Sequence, residues 1–167
     1  MRLIKLALLA VTMAASMAAN AYTVNNTNGG DGYVSGSFPS FTLVGGNNGN
    51  GNNFTTYSET MSTDGQMSFS WSYGTNDWDY TWDPAGYFVN SNFISLMPAS
   101  SGSVSLALTT NDLFGWYVYT VDGSVGSGFL NVAAEFTPST QVPEPASIAL
   151  LGLGLAGVAF ARRKKQQ

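Results

Sequence analysis

The sequence predicts an all-β fold, an antiparallel β-sandwich of jelly-roll type, and three observations carry that prediction. Apolar residues alternate with small polar ones in several short runs, Gly and Asn clusters separate those runs, and nothing between Tyr22 and Gln141 keeps helical spacing. An elongated solenoid would need a fixed period, and none is visible. The strongest run is Gln66 to Tyr73, where Met67, Phe69, Trp71 and Tyr73 alternate with Ser68, Ser70 and Ser72. One greasy face and one hydroxyl-bearing face at a period of two are what a half-buried antiparallel strand requires.

Ahead of this body, Arg2 and Lys5 precede the apolar run Leu6 to Met13, and Ala19-Asn20-Ala21 places small residues where a signal peptidase reads them. Residues 1–21 are therefore expected to be a secretory signal peptide cut between Ala21 and Tyr22, with Ala19 and Ala21 as the recognised pair. No Cys follows the small residues, which excludes lipoprotein processing, and the chain has no Cys at all to build the disulfides an exported compartment would permit. The 120 residues from Tyr22 to Gln141 suffice for one domain with its own core.

Within the body, Tyr22 to Gly32 is rich in Asn, Thr and Gly and is expected to be a loose lead-in. Tyr33 to Val44 reads as an edge strand broken by a bend at Pro39. The run Gly45 to Asn53 holds only Gly and Asn, residues that tolerate positive φ and add nothing to a core, so it is a loop. Phe54 to Ser62 resumes as a strand. Asn90-Ser91 between Tyr87-Phe88-Val89 and Phe93-Ile94 predicts a hairpin turn. Val104, Leu106 and Leu108 form a second alternating set, and Leu130, Val132, Ala134 and Phe136 a third. Phe114 to Val121 is apolar or aromatic on both faces and so reads as a central strand. The count is about eight strands with no helix, hence the sandwich.

All six basic residues lie in the two terminal segments, and the body contains no Lys, Arg or His. Its nine acids (Asp31, Glu59, Asp64, Asp77, Asp79, Asp83, Asp112, Asp122 and Glu135) give it a charge near −9. Such a surface repels phosphate backbones, which excludes nucleic acid as a partner. Without His, Cys, Lys or Arg, Ser or Cys triads, Schiff-base chemistry, zinc sites built on His or Cys and cationic phosphate clamps are unavailable too. A carboxylate pair drawn from Asp77, Asp79 and Asp83 is what remains for glycoside hydrolysis, and carboxylate pairs are cheap in a chain this acidic. The expectation is that no residue is catalytic.

The most unusual stretch is Asn76-Asp77-Trp78-Asp79-Tyr80-Thr81-Trp82-Asp83, where rings and acids alternate. If extended, it puts Trp78, Tyr80 and Trp82 on one face and the acids on the other. Large aromatics in a β-protein are usually core, so the three rings are expected to continue the core face begun at Met67. The alternative is a sugar-binding patch, since ring faces stack on pyranoses and carboxylates accept from hydroxyls. Asp77, Asp79 and Asp83 could also hold calcium, since Asp77 and Asp79 have the D-x-D spacing that wraps one hard cation. Trp82 and Phe88 stand where an EF-hand loop would need Gly and Glu, so a solvated acidic loop without a cofactor is the plainer reading.

At the C-terminus, Val142-Pro143-Glu144-Pro145 displays one carboxylate on a stiff, extended backbone. The 16 uncharged residues 146–161 follow; as a helix they reach about 24 Å, short of the roughly 30 Å of a bilayer core. Arg162, Arg163, Lys164 and Lys165 extend that reach by snorkelling and fix the end as cytoplasmic. Val-Pro-Glu-Pro-Ala-Ser, a Leu/Gly/Ala segment and a terminal basic cluster together resemble the PEP-CTERM sorting signal, here residues 142–167. The resemblance implies a membrane-embedded exosortase that recognises and removes the tail, in a Gram-negative host that makes extracellular polysaccharide. Asp83-Pro84-Ala85-Gly86-Tyr87 and Asn111-Asp112-Leu113-Phe114-Gly115 are similar to a pattern in β-rich bodies of other PEP-CTERM proteins. The expected protein is thus exported across the inner membrane, held transiently by one transmembrane helix, and delivered to the cell surface or biofilm matrix. There it would be a non-enzymatic structural or adhesive component associated with exopolysaccharide. A carbohydrate-binding module is the alternative, and a glycoside-active enzyme the distant one.

Overall fold

The computed structural model describes residues 21–139. The residues expected to form a signal peptide, through Asn20 with Ala19 among them, lie outside that range, as do the Pro-Glu-Pro motif, the apolar segment 146–161 and the basic cluster. Ten strands run in chain order: β1 Thr23–Asn26, β2 Tyr33–Ser37, β3 Ser40–Val44, β4 Asn53–Thr60, β5 Gly65–Thr75, β6 Ala85–Val89, β7 Asn92–Ser95, β8 Ser101–Leu108, β9 Leu113–Thr120 and β10 Gly128–Pro138. Among the described residues there is no helix. Two antiparallel five-stranded sheets result, with hydrogen-bonded orders β1-β4-β9-β6-β7 and β2-β3-β10-β5-β8. Leaving aside the edge strands β1 and β2, the orders 4-9-6-7 and 3-10-5-8 are those of a jelly roll, and the predicted sandwich is the observed one.

The alternating runs fold as their period demands. Met67, Phe69 and Trp71 of β5 are buried, and so are Leu130 and Val132 of β10. Between the sheets they meet Phe41 and Leu43 of β3, Tyr57 of β4 and Phe114, Trp116 and Val118 of β9. Trp116 is the centre of this layer, with ring centroids 5.0 Å from Phe41, 5.5 Å from Phe69 and 4.7 Å from Phe114. Phe114 to Val121 was expected to be a central strand, and β9 occupies the middle of its sheet. The Asn90-Ser91 hairpin forms with Asn90 at φ 56° and Val89 paired to Asn92.

Two expectations need correction. Tyr22 to Gly32 is not a loose lead-in: β1 pairs with β4 from Thr23 opposite Ser58 to Asn26 opposite Thr55. The Tyr22 ring stacks on Phe38 at 5.0 Å and meets Tyr57 at 5.1 Å, closing one margin of the core. Polar side chains there fit because an edge strand needs only backbone pairing and one anchoring ring. Tyr33 to Val44 is also two strands, with Phe38-Pro39 forming the turn of a β2–β3 hairpin. These additions bring the count from eight to ten.

Candidate functional site

The ring-and-acid stretch is neither a strand nor part of the core. From Asn76 to Asp83 the chain turns, because its own side chains compete with the sheet for backbone hydrogens. The amide of Asp77 donates to Thr75 Oγ1 at 2.9 Å, and the amide of Thr81 donates to Asp79 Oδ1 at 2.7 Å. Trp78 is consequently 82 % exposed, Trp82 39 % and Tyr80 38 %. The expectation that these rings extend the core face is overturned.

The acids of this stretch part company as well. Asp79 is capped by Thr81 and exposed, which holds its carboxyl below the ordinary value. Asp83 turns inward and is 1 % exposed, with neither carboxylate oxygen hydrogen-bonded. Burial foremost, with the charges of Asp77 and Asp122 adding to it, pushes its carboxyl up to about 6. The Thr120 hydroxyl and the Gly128 amide stand near enough to offset part of that rise. The hydroxyl itself donates to the carbonyl of Gly46 at 3.3 Å, leaving the carboxylate without a partner. Among the described residues no three His, Cys, Asp or Glu side chains gather as metal ligands; of the three acids named for calcium, Asp79 is exposed and Asp83 buried.

The same sheet carries a second inward acid, Glu59 of β4, 6 % exposed and paired in register with Phe114. Its two carboxylate oxygens also lack partners, and burial raises its carboxyl to about 7. In a body with no Lys, Arg or His, no basic side chain can compensate either acid; holding a proton is the open route.

Sequence reasoning missed a third feature, an aromatic cluster on the solvent side of the first sheet. Phe54 of β4, Phe88 of β6, Phe93 of β7 and Tyr117 and Tyr119 of β9 all point away from the inter-sheet core. Phe54 lies 4.6 Å from Tyr119 and 5.2 Å from Phe93 between ring centroids, Phe93 lies 5.2 Å from Tyr117, and Phe88 and Phe93 stack at 5.0 Å. Phe54 and Phe93 come from strands with β9 and β6 between them, roughly 14 Å apart in a flat sheet. Their contact means that the sheet curls toward solvent.

Two glycines permit this. Tyr117 covers Gly86 and Phe88 covers Gly115, their register partners; an added Cβ would fall 2.6 Å from the Tyr117 ring and 2.9 Å from the Phe88 ring. Ahead of β6 the pairing with β9 continues, as the amide of Tyr119 donates to the Pro84 carbonyl and that of Val121 to the Trp82 carbonyl, both at 2.8 Å. Since Ala85 and Asp83 are inward, Trp82 takes the outward side of this extension. The available signal was Tyr117 and Tyr119 on a strand already filled on its inner face.

The outer face of the other sheet is built from hydroxyls. Ser35, Thr42, Asn131, Ser72 and Ser101 form one register row across all five strands, and Ser37, Ser40, Ala133, Ser70 and Ser103 the next. Thr42 Oγ1 donates to Asn131 Oδ1 at 2.7 Å, Asn131 Nδ2 donates to Ser72 Oγ at 3.2 Å, and the Ser68 and Ser105 hydroxyls are 2.7 Å apart. Two open depressions of about 500 and 660 Å³ lie over these rows.

The sorting residues Val142, Pro143, Glu144, Pro145, Arg162, Arg163, Lys164 and Lys165 lie outside the described range. A family model of the PEP-CTERM protein-sorting motif matches residues 141–165. The chain thus ends in a sorting motif of an exosortase substrate, which implies export, C-terminal anchoring in the membrane, and processing there. No curated protein matches the chain.

Proposed function

We propose that the sorted body is a non-enzymatic structural or adhesive component of the cell surface or extracellular matrix, associated with exopolysaccharide. The observation that carries this reading is a pairing: a chain addressed for exosortase processing displays a tryptophan 82 % exposed beside Tyr80 and Trp82. Solitary exposed apolar residues need no explanation, but three large rings within five positions of an exported domain are available for contact with something outside the cell. The non-enzymatic reading is supported by the parting of the acids, since Asp83 is buried while Asp79 faces solvent, so these two are not displayed together as a carboxylate pair.

A second reading, a carbohydrate-binding module, is favoured by those same rings, whose faces suit pyranose stacking. Fractionating an exopolysaccharide-producing host with an active exosortase tests the first reading. The protein is expected in the matrix fraction, released when the polysaccharide is enzymatically digested; retention in the inner membrane at full length would overturn it.

A further inference from the structure

We infer that the curled aromatic face of the first sheet, centred on Phe54, Phe93 and Tyr119 and continued by Trp82, is a stacking platform for a neutral polysaccharide chain. This rests on the matrix-associated reading above and assigns it a surface and a ligand class.

The cluster is a second apolar layer, built outside the core. Phe88 and Tyr117 are buried beneath it, whereas Phe93 stays 47 % exposed with its ring held by contacts to Phe54, Phe88 and Tyr117. A ring fixed in place while open to water loses little freedom on binding, and removing its face from water is favourable. Polar groups border it: Tyr119 donates its hydroxyl to Asn52 Oδ1 at 2.9 Å, and the Ser95 hydroxyl sits beside that of Tyr117. An apolar floor with hydroxyl and amide margins matches a pyranose, which has a C–H face and a hydroxyl edge.

Charge selects among the remaining occupants. Nine acids and no base in the body oppose an anionic polymer, and they equally oppose a second copy of this chain brought face to face. The hydroxyl face is the weaker candidate despite its depressions. Its Thr42, Asn131 and Ser72 side chains already bond one another, and exchanging such bonds or water for sugar hydroxyls gains little net free energy.

Affinity electrophoresis of the chain, exported with its own signal peptide and purified in mild detergent, tests the assignment in gels containing hydroxyethylcellulose, galactomannan or alginate. Retardation is expected in at least one neutral gel and not in alginate. Phe93→Ser combined with Tyr119→Ala should weaken it at least tenfold, while Phe93→Tyr and, on the opposite face, Ser70→Ala should leave it within twofold. Near-UV circular dichroism confirms that each variant is folded; if the double variant is not, Phe93→Ser alone provides the comparison. Unchanged retardation in the variants would move the site elsewhere and leave the matrix reading standing. No retardation in either neutral polymer, preference for alginate, or a concentration-dependent dimer abolished by Phe93→Ser would overturn the platform, whatever the host fractionation shows.

Discussion

The two sheets bury similar core faces and turn opposite chemistries toward solvent. The β2-β3-β10-β5-β8 sheet presents rows of Ser, Thr and Asn that hydrogen-bond along the register, whereas the β1-β4-β9-β6-β7 sheet presents five aromatic rings packed on one another. The asymmetry extends inward, since Glu59 of β4 and Asp83 just before β6 are buried on the aromatic sheet while Glu135 of β10 is exposed. A hydroxyl face interacts with water as well as with itself and holds little folding energy. An aromatic face on curled strands is a structural layer, and its outermost ring, Phe93, is the part left open to water.

The largest test of that difference is truncation. Tyr117→Ala removes a buried ring that supports Phe54 and Phe93, and it should lower unfolding free energy by about 3 kcal/mol; Ser70→Ala on the other sheet should stay within about 0.5 kcal/mol. Urea denaturation of both variants gives the ratio. If they lose comparable stability, the outer rings are not a packed layer.

Gly86→Ala comes next. Its Cβ would press on the Tyr117 ring and the backbone of Ile94, so a loss of about 2 kcal/mol is expected. At Gly49, where φ is 86° but no atom lies within 4 Å of an added Cβ, alanine meets backbone strain alone. A melt of the two alanine variants separates close approach from conformational preference.

Acidity sharpens the inner half of the comparison. Glu59 and Asp83 have folded-state values of about 7 and about 6, above the ordinary 4.5 and 3.8 of these side chains. The native state therefore keeps protons that the unfolded chain releases. The stability linked to them is complete below about pH 4 and is lost as pH rises through 6 to 7, a fall of several kcal/mol. Glu59→Gln should flatten much of the slope between pH 4.5 and 7.5, and Glu135→Gln, the matched charge removal on the hydroxyl sheet, should not. Equal slopes in both variants would assign the effect to net charge instead.

The strand content was legible because it rests on local alternation. Met67, Phe69 and Trp71 declared their face within one segment, and β9 declared its central place by being apolar on both sides. The outer aromatic cluster was not legible, since it joins Phe54, Phe88, Phe93 and Tyr117 from four strands and exists only once the sheet order is known. Trp78, Tyr80 and Trp82 misled because their period of two is genuine, yet Thr75 and Asp79 take the backbone hydrogens that an extended segment would have given to the sheet. β1 was missed for the opposite reason: an edge strand held by four register pairs and Tyr22 leaves almost no apolar pattern to read.

The chain leaves the sandwich through β10, and that fixes how the domain bears tension. β10 is the middle strand of its sheet, paired with β5 from Gly128 opposite Thr75 to Pro138 opposite Gly65 and with β3 from Phe129 to Ala133. The matched sorting motif begins at residue 141, two residues beyond Ser139. While the C-terminus is held in the membrane, drag on the domain enters at the C-terminal end of β10, and its component along the strand axis is carried by β10 itself. Backbone hydrogen bonds lie across that axis, so both flanking ladders are sheared together instead of opening one bond at a time. The strand nearest the tether is the one least able to be peeled away, because it has a neighbour on each side while β2 and β8 at the margins of the same sheet have one.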